Sequence, residues 1–132
     1  MITSDQALQM DFVPNKVIVL GGGVIGVEFA SIWRSFGAEV TIVEGLPSLV
    51  PNEEPAVSKA LERAFRKRGI DFKTGVRFSG VEQHDSGVVV TLESGEKLEA
   101  ELAAAKSAKD SKKATELEEA IKTQKEWLAV LK

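Results

Sequence analysis

The sequence predicts an α/β domain built on a parallel sheet, and three observations predict it. An apolar run rich in β-branched residues, Lys16 to Leu20, leads straight into Gly21-Gly22-Gly23-Val24-Ile25-Gly26, and the next apolar run, 39–43, is closed by an acid, Glu44. Strand, glycine turn, helix and a second strand with a terminal acid form the dinucleotide-binding fingerprint in its structural context. A Rossmann-like sheet and an NAD ligand are therefore expected. Beyond residue 75 the third observation is a change to short alternating runs punctuated by glycine, which predicts a three-stranded antiparallel meander. A C-terminal amphipathic helix completes the expected fold.

Taken in order, a short capped helix is expected over 4–10, then strand 17–20, helix 24–36 and strand 39–43. A helix over 54–68 follows, with Asn52 as its expected N-cap, Pro55 tolerated in the first turn and Gly69 as its stop. A third parallel strand lies near 71–73. The meander strands are 76–84, 88–93 and 97–102, separated by Asp85-Ser86-Gly87 and by Ser94-Gly95. The cations Arg66, Lys67 and Arg68 fall in the last turn of their helix, where its dipole favours them, and read as a solvated face.

The fingerprint residues have mechanical roles. Gly21 permits the tight strand-to-helix turn, Gly23 lets backbone approach a pyrophosphate, and Gly26 lets the helix pack close to the strand. The pyrophosphate is expected at the helix N-terminus, where Val24 and Ile25 begin the helix and unpaired N–H groups face it. Glu44 stands where an acid accepts hydrogen bonds from the adenosine ribose. A carboxylate there repels a 2′-phosphate, and no arginine follows it over 45–51, so NAD is favoured over NADP.

Composition narrows the function classes. The chain has 132 residues, 43% hydrophobic and 28% charged, with a net charge of -3, which gives no basic field for nucleic acid. No apolar run approaches the roughly 20 residues needed to cross a bilayer, and the N-terminus lacks the layout of a signal peptide, so a cytoplasmic location is expected, with no membrane partner. There is no cysteine, hence no thiol redox chemistry of its own. The single histidine, His84, reads as a surface residue, and no metal site is expected.

The chain divides into two regimes. All 11 glycines and 4 prolines precede residue 96, whereas 101–132 contains no glycine, proline or arginine and is dense in alanine, lysine and glutamate. Domains 1–102 and 103–132 are expected on that basis. In the second, Ala114, Leu117, Ile121, Gln124, Leu128 and Leu131 recur at helical spacing, with Thr115 and Glu118 offering a capping box.

Over 2–102 the sequence closely resembles the NAD-binding domain of dihydrolipoamide dehydrogenase, a flavoprotein of the disulfide oxidoreductases. The resemblance rests on Thr3-Ser4-Asp5, Val13-Pro14-Asn15-Lys16, the glycine run through Val27-Glu28, Gly37-Ala38-Glu39-Val40-Thr41 and Val43-Glu44. It implies that Gly21, Gly23 and Gly26 line the pyrophosphate, Glu44 the ribose and Val76 the adenine. Glu28 matches the glutamate that lies near nicotinamide and flavin in the complete enzymes.

The departures are as informative. The FAD-binding domain with its cysteine pair and the dimerisation domain have no counterpart here, so FAD is not expected and neither is catalysis by this chain. The last parallel strand, ending in a Gly-Arg motif in the family, is expected to be missing, because Leu102 runs into Ala103-Ala104-Ala105-Lys106. Its loss would expose one edge of strand 17–20. The tail then reads as an engineered or grafted cover for that edge, packed either within its own chain or across a homodimer. A chimeric scaffold that has lost cofactor binding is the alternative to an NAD(H)-binding module.

Overall fold

The computed structural model describes residues 1–105. Residues 106–132, with the expected amphipathic helix and capping box, lie outside the described residues. Eleven elements follow in order: β1 (Ile2–Thr3), α1 (Ser4–Ala7), β2 (Lys16–Leu20), α2 (Val24–Ser35), β3 (Glu39–Val43), α3 (Pro55–Arg68), β4 (Asp71–Lys73), β5 (Phe78–His84), β6 (Gly87–Leu92), β7 (Lys97–Ala100) and β8 (Leu102–Ala105). Five strands form a parallel sheet in the order β1-β8-β2-β3-β4, and β5-β6-β7 form a separate antiparallel sheet.

The period-2 alternation of the parallel strands sends their side chains into two cores. Val17, Val19, Val40 and Ile42 pack with Val27, Ala30 and Trp33 of α2 and Phe65 of α3. Ile18, Leu20 and Val43 face the other way and meet Val81, Val88, Val90 and Leu92 of the meander. Helices therefore cover one face of the central sheet and the meander covers the other. Burial of both faces explains why β2 reads as an unbroken apolar run rather than an alternating one.

Three expectations are corrected. The strand expected to be missing is present: β8 pairs with β2 from Val17↔Leu102 to Leu20↔Ala105, and with β1 at Ile2↔Ala104 and Thr3↔Ala105. Alanine is a poor strand former by propensity, but a central strand is specified by its neighbours, and β1 and β2 each present a row of backbone groups that need partners. Ala103 and Ala104 are buried on opposite faces. The edge of β2 is thus closed, and the boundary drawn between 102 and 103 falls inside a strand. The chain changes sheets at Glu101, whose N–H donates to the Lys16 carbonyl and whose carboxylate accepts both the N–H and the side-chain amide of Asn15.

The second correction concerns α3, whose N-cap is Glu54 and not Asn52. Pro55 occupies the first helical position, where its missing N–H costs nothing, and it holds the preceding residue extended, at φ -60 and ψ 142. The third concerns α1, which ends at Ala7 instead of continuing to Met10. Its N-terminus is closed by a capping box between Thr3 and Gln6. Gly69 ends α3 in the left-handed conformation, at φ 73, as its position in the sequence predicts.

Candidate functional site

The chain runs β2, β3, β4 in one direction across the sheet and then returns to place β8 on the other side of β2. Strand order reverses at β2, and ligands of open α/β sheets bind outside the carboxyl ends of the strands at such a point. The glycine turn leaves β2 there. Gly21 has φ 115, a conformation that disfavours any side chain, and its N–H donates to the Val43 carbonyl at 2.8 Å. Gly23 is the N-cap of α2, with no side-chain cap and no acidic residue in the first turn. The first N–H groups of α2 thus lack an intrahelical partner, and no carboxylate of the first turn occupies the place of an anion.

Gly26 shows why the third glycine is needed. A Cβ there would stand 2.0 Å from the Gly21 carbonyl oxygen, so any side chain would force α2 off the turn. Val24 and Ile25 stay 54% and 39% exposed at the helix start, apolar surface that a ligand lying along the turn would cover. Glu28 lies one helical turn beyond Val24, also exposed.

Glu44 is drawn into the same construction. Its Oε2 accepts the Gly22 N–H at 2.6 Å and its Oε1 accepts the Leu46 N–H at 2.8 Å. Each carboxylate oxygen keeps a further lone pair for an incoming hydroxyl. Val76 belongs here too, because its N–H donates to the Glu44 carbonyl and the neighbouring Gly75 N–H donates to the Leu46 carbonyl. Gly21, Gly23, Val24, Ile25, Gly26, Glu44 and Val76 thus share one end of the sheet, with Glu28 further along the same helix.

The loop after Glu44 clamps the turn from above. The Val50 N–H donates to the Gly22 carbonyl at 2.7 Å, and Val50 has φ 42, a strained conformation for a β-branched residue. That backbone is held by the Ser58 hydroxyl, which donates to the Val50 carbonyl, and by the Leu49 N–H, which donates to Glu62. Sequence reasoning missed this clamp and missed Gly22, whose Cβ would stand 2.7 Å from Leu49 Cδ2 and 3.1 Å from Glu44 Cβ. The run of three glycines was the available signal, since a dinucleotide fingerprint by itself requires only the outer two. Arg77 was missed as well. It lies against Gly45, beside the acid, although it is distant in sequence.

Among the described residues no group of three His, Asp or Glu could hold a metal, and no helix is long and apolar enough to cross a membrane. The arrangement has the features of a site for a diphosphate at a helix N-terminus with a hydroxyl-bearing group beside Glu44. A family described as pyridine nucleotide-disulphide oxidoreductase matches residues 1–106. The chain belongs to that family.

Dihydrolipoamide dehydrogenase from Chaetomium thermophilum is 42% identical over 94 residues, which cover 70% of this chain and 19% of that protein. Dihydrolipoyl dehydrogenase from Chlorobaculum tepidum is 46% identical over 92 residues, covering 70% and 20%. Among solved structures, LpdA from Mycobacterium tuberculosis aligns with a TM-score of 0.73 at 31% identity, covering 79% of this chain and 23% of LpdA. The chain spans about a fifth of the length of the curated relatives it matches.

Proposed function

We propose that this chain is an NAD(H)-binding domain of the dihydrolipoamide dehydrogenase type, which by itself binds the nucleotide without turning over a substrate. The observation that carries the reading is the bond between Glu44 and the Gly22 N–H, which fixes a carboxylate beside the glycine turn. The residues fit the cofactor. Gly21 supplies the turn, Gly26 has no room for a Cβ, and the first N–H groups of α2 lack intrahelical partners. Gly21 and Gly23 would let the backbone approach the pyrophosphate, with Val24 and Ile25 beside it. Glu44 would accept from the ribose hydroxyls, and Val76 would border the adenine.

The nicotinamide ring supplies hydride chemistry when bound. This chain's own part is binding and orientation, with Glu28 on the helix face that would lead toward the nicotinamide. Dihydrolipoamide oxidation also needs a dithiol exchange, and the sequence has no cysteine to carry it. FAD, used by the parent family, is not expected to bind here.

Calorimetric titration of the full chain with NADH tests the reading. Saturable binding that is weakened or abolished by Gly23→Val is expected. Gly23 has φ -73, so valine is tolerated by the backbone and the variant should still fold. An unchanged affinity in that variant, or no binding to the unaltered chain, would instead support a structural scaffold. The alanine-, lysine- and glutamate-rich composition of 106–132, beyond the last strand of the sheet, is the observation that favours a scaffold with a grafted tail.

A further inference from the structure

Glu44 is not alone at the ribose end of the site. Gly45 has no side chain, and Arg77 lies in the space that one would fill: a Cβ on Gly45 would stand 3.1 Å from Arg77 Cγ and 3.5 Å from its Nε. The backbone on either side of Arg77 is fixed. The preceding Val76 N–H donates to the Glu44 carbonyl, and the Arg77 carbonyl accepts the Glu93 N–H at 2.8 Å. The arginine is therefore mounted on a rung that joins the Glu44 loop to the meander, with its stem against the residue that follows the acid.

Its guanidinium is exposed and has no hydrogen-bond or ion-pair partner among the described residues. Lys73, whose carbonyl accepts the Glu44 N–H, differs in this respect, because its ammonium pairs with Glu96 at 3.2 Å. A site with only a carboxylate at this point rejects a 2′-phosphate by like-charge repulsion, whereas an arginine nearby accommodates one. Here both are present. The sequence placed no arginine in the loop after Glu44, but the fold brings one to it from the segment before β5.

Resting on the dinucleotide reading above, we propose that Arg77 is a specificity-determining residue that partly offsets Glu44 and gives the site tolerance for the 2′-phosphate of NADP(H). NADH stays the better ligand, because Glu44 is bonded directly to the glycine turn. The preference is smaller than the acid would impose without the arginine.

The test is the ratio of NADPH to NADH affinity, measured by titration of the full chain and of Arg77→Ala and Arg77→Lys. Arg77→Ala should lower that ratio about tenfold, the loss of one charge-assisted contact, while Arg77→Lys keeps most of it. Raising the salt concentration should weaken NADPH binding more steeply in the unaltered chain than in Arg77→Ala. A ratio unmoved in Arg77→Ala overturns the proposal, including the case in which both affinities fall by the same factor, which would make Arg77 an adenine contact only. If NADH binds and the ratio is unmoved, the dinucleotide reading survives alone. If neither cofactor binds the unaltered chain, both readings fall.

Discussion

The carboxylate of Glu44 accepts the backbone N–H of Gly22 at 2.6 Å, so the acid at the end of one strand is bonded to the glycine turn at the end of its neighbour. A second bond, from the Leu46 N–H, holds the other oxygen. Glu44→Ala removes both acceptors. Hydrogen bonds to charged groups are worth about 1.5–3 kcal/mol each, so NADH affinity should fall by about tenfold or more, with a lower melting temperature from the loosened turn. Equal NADH affinity in the variant and the unaltered chain would show that this carboxylate does not meet the ribose.

Gly26→Ala should be severe although it adds one methyl group. The 2.0 Å approach to the Gly21 oxygen involves backbone, which cannot rotate away as a side chain can. A loss of at least about 1–3 kcal/mol is expected, the usual scale of overpacking, visible as a lower midpoint in thermal unfolding followed by circular dichroism. An unchanged midpoint would mean that α2 can retreat from the turn at no cost.

Ala104→Val should act in the opposite direction. Ala104 borders a small apolar pocket between α1 and α2, with Ala7, Val19, Ile25, Phe29 and Trp33 among its walls. Valine adds two carbons to that pocket and is a better strand former than alanine in a central strand. At about 0.8 kcal/mol per buried methylene, a gain approaching 1.5 kcal/mol is the upper expectation, read as a raised melting temperature. A lower one would show the pocket too shallow to take the side chain.

Much of the site was legible because its signals are local. A glycine fingerprint, the strand before it and an acid closing the next strand all fall in one short segment, and the fold puts Gly21 at the turn with φ 115, Gly26 against the Gly21 carbonyl and the Glu44 carboxylate on the Gly22 N–H. What was not legible depends on neighbours. Ala103, Ala104 and Ala105 carry helix propensity in isolation and become a strand because β1 and β2 flank them. The position of Arg77 against Gly45 is a tertiary fact, set by bonds from Val76 and Glu93 that no spacing rule contains. The N-cap at Glu54 was readable in principle, since Pro55 fixes the first helical position.

Dihydrolipoamide oxidation should be undetectable with this chain, with or without added FAD, because no cysteine exists to exchange with the dithiol. The assay is NADH formation monitored in rigorously purified protein. Turnover that scales with protein concentration would overturn the proposal that the domain only binds.

The most direct measurement is an NMR titration of isotopically labelled chain with NADH, following each backbone amide. Saturable shifts are expected, largest at Gly22, Gly23, Val24 and Ile25, with a second group at Glu44, Leu46 and Val76. The N–H groups of the turn should meet the pyrophosphate, and those of the second group surround the ribose acid. Saturable shifts confined to other segments, or none at ligand concentrations that saturate a genuine site, would contradict it.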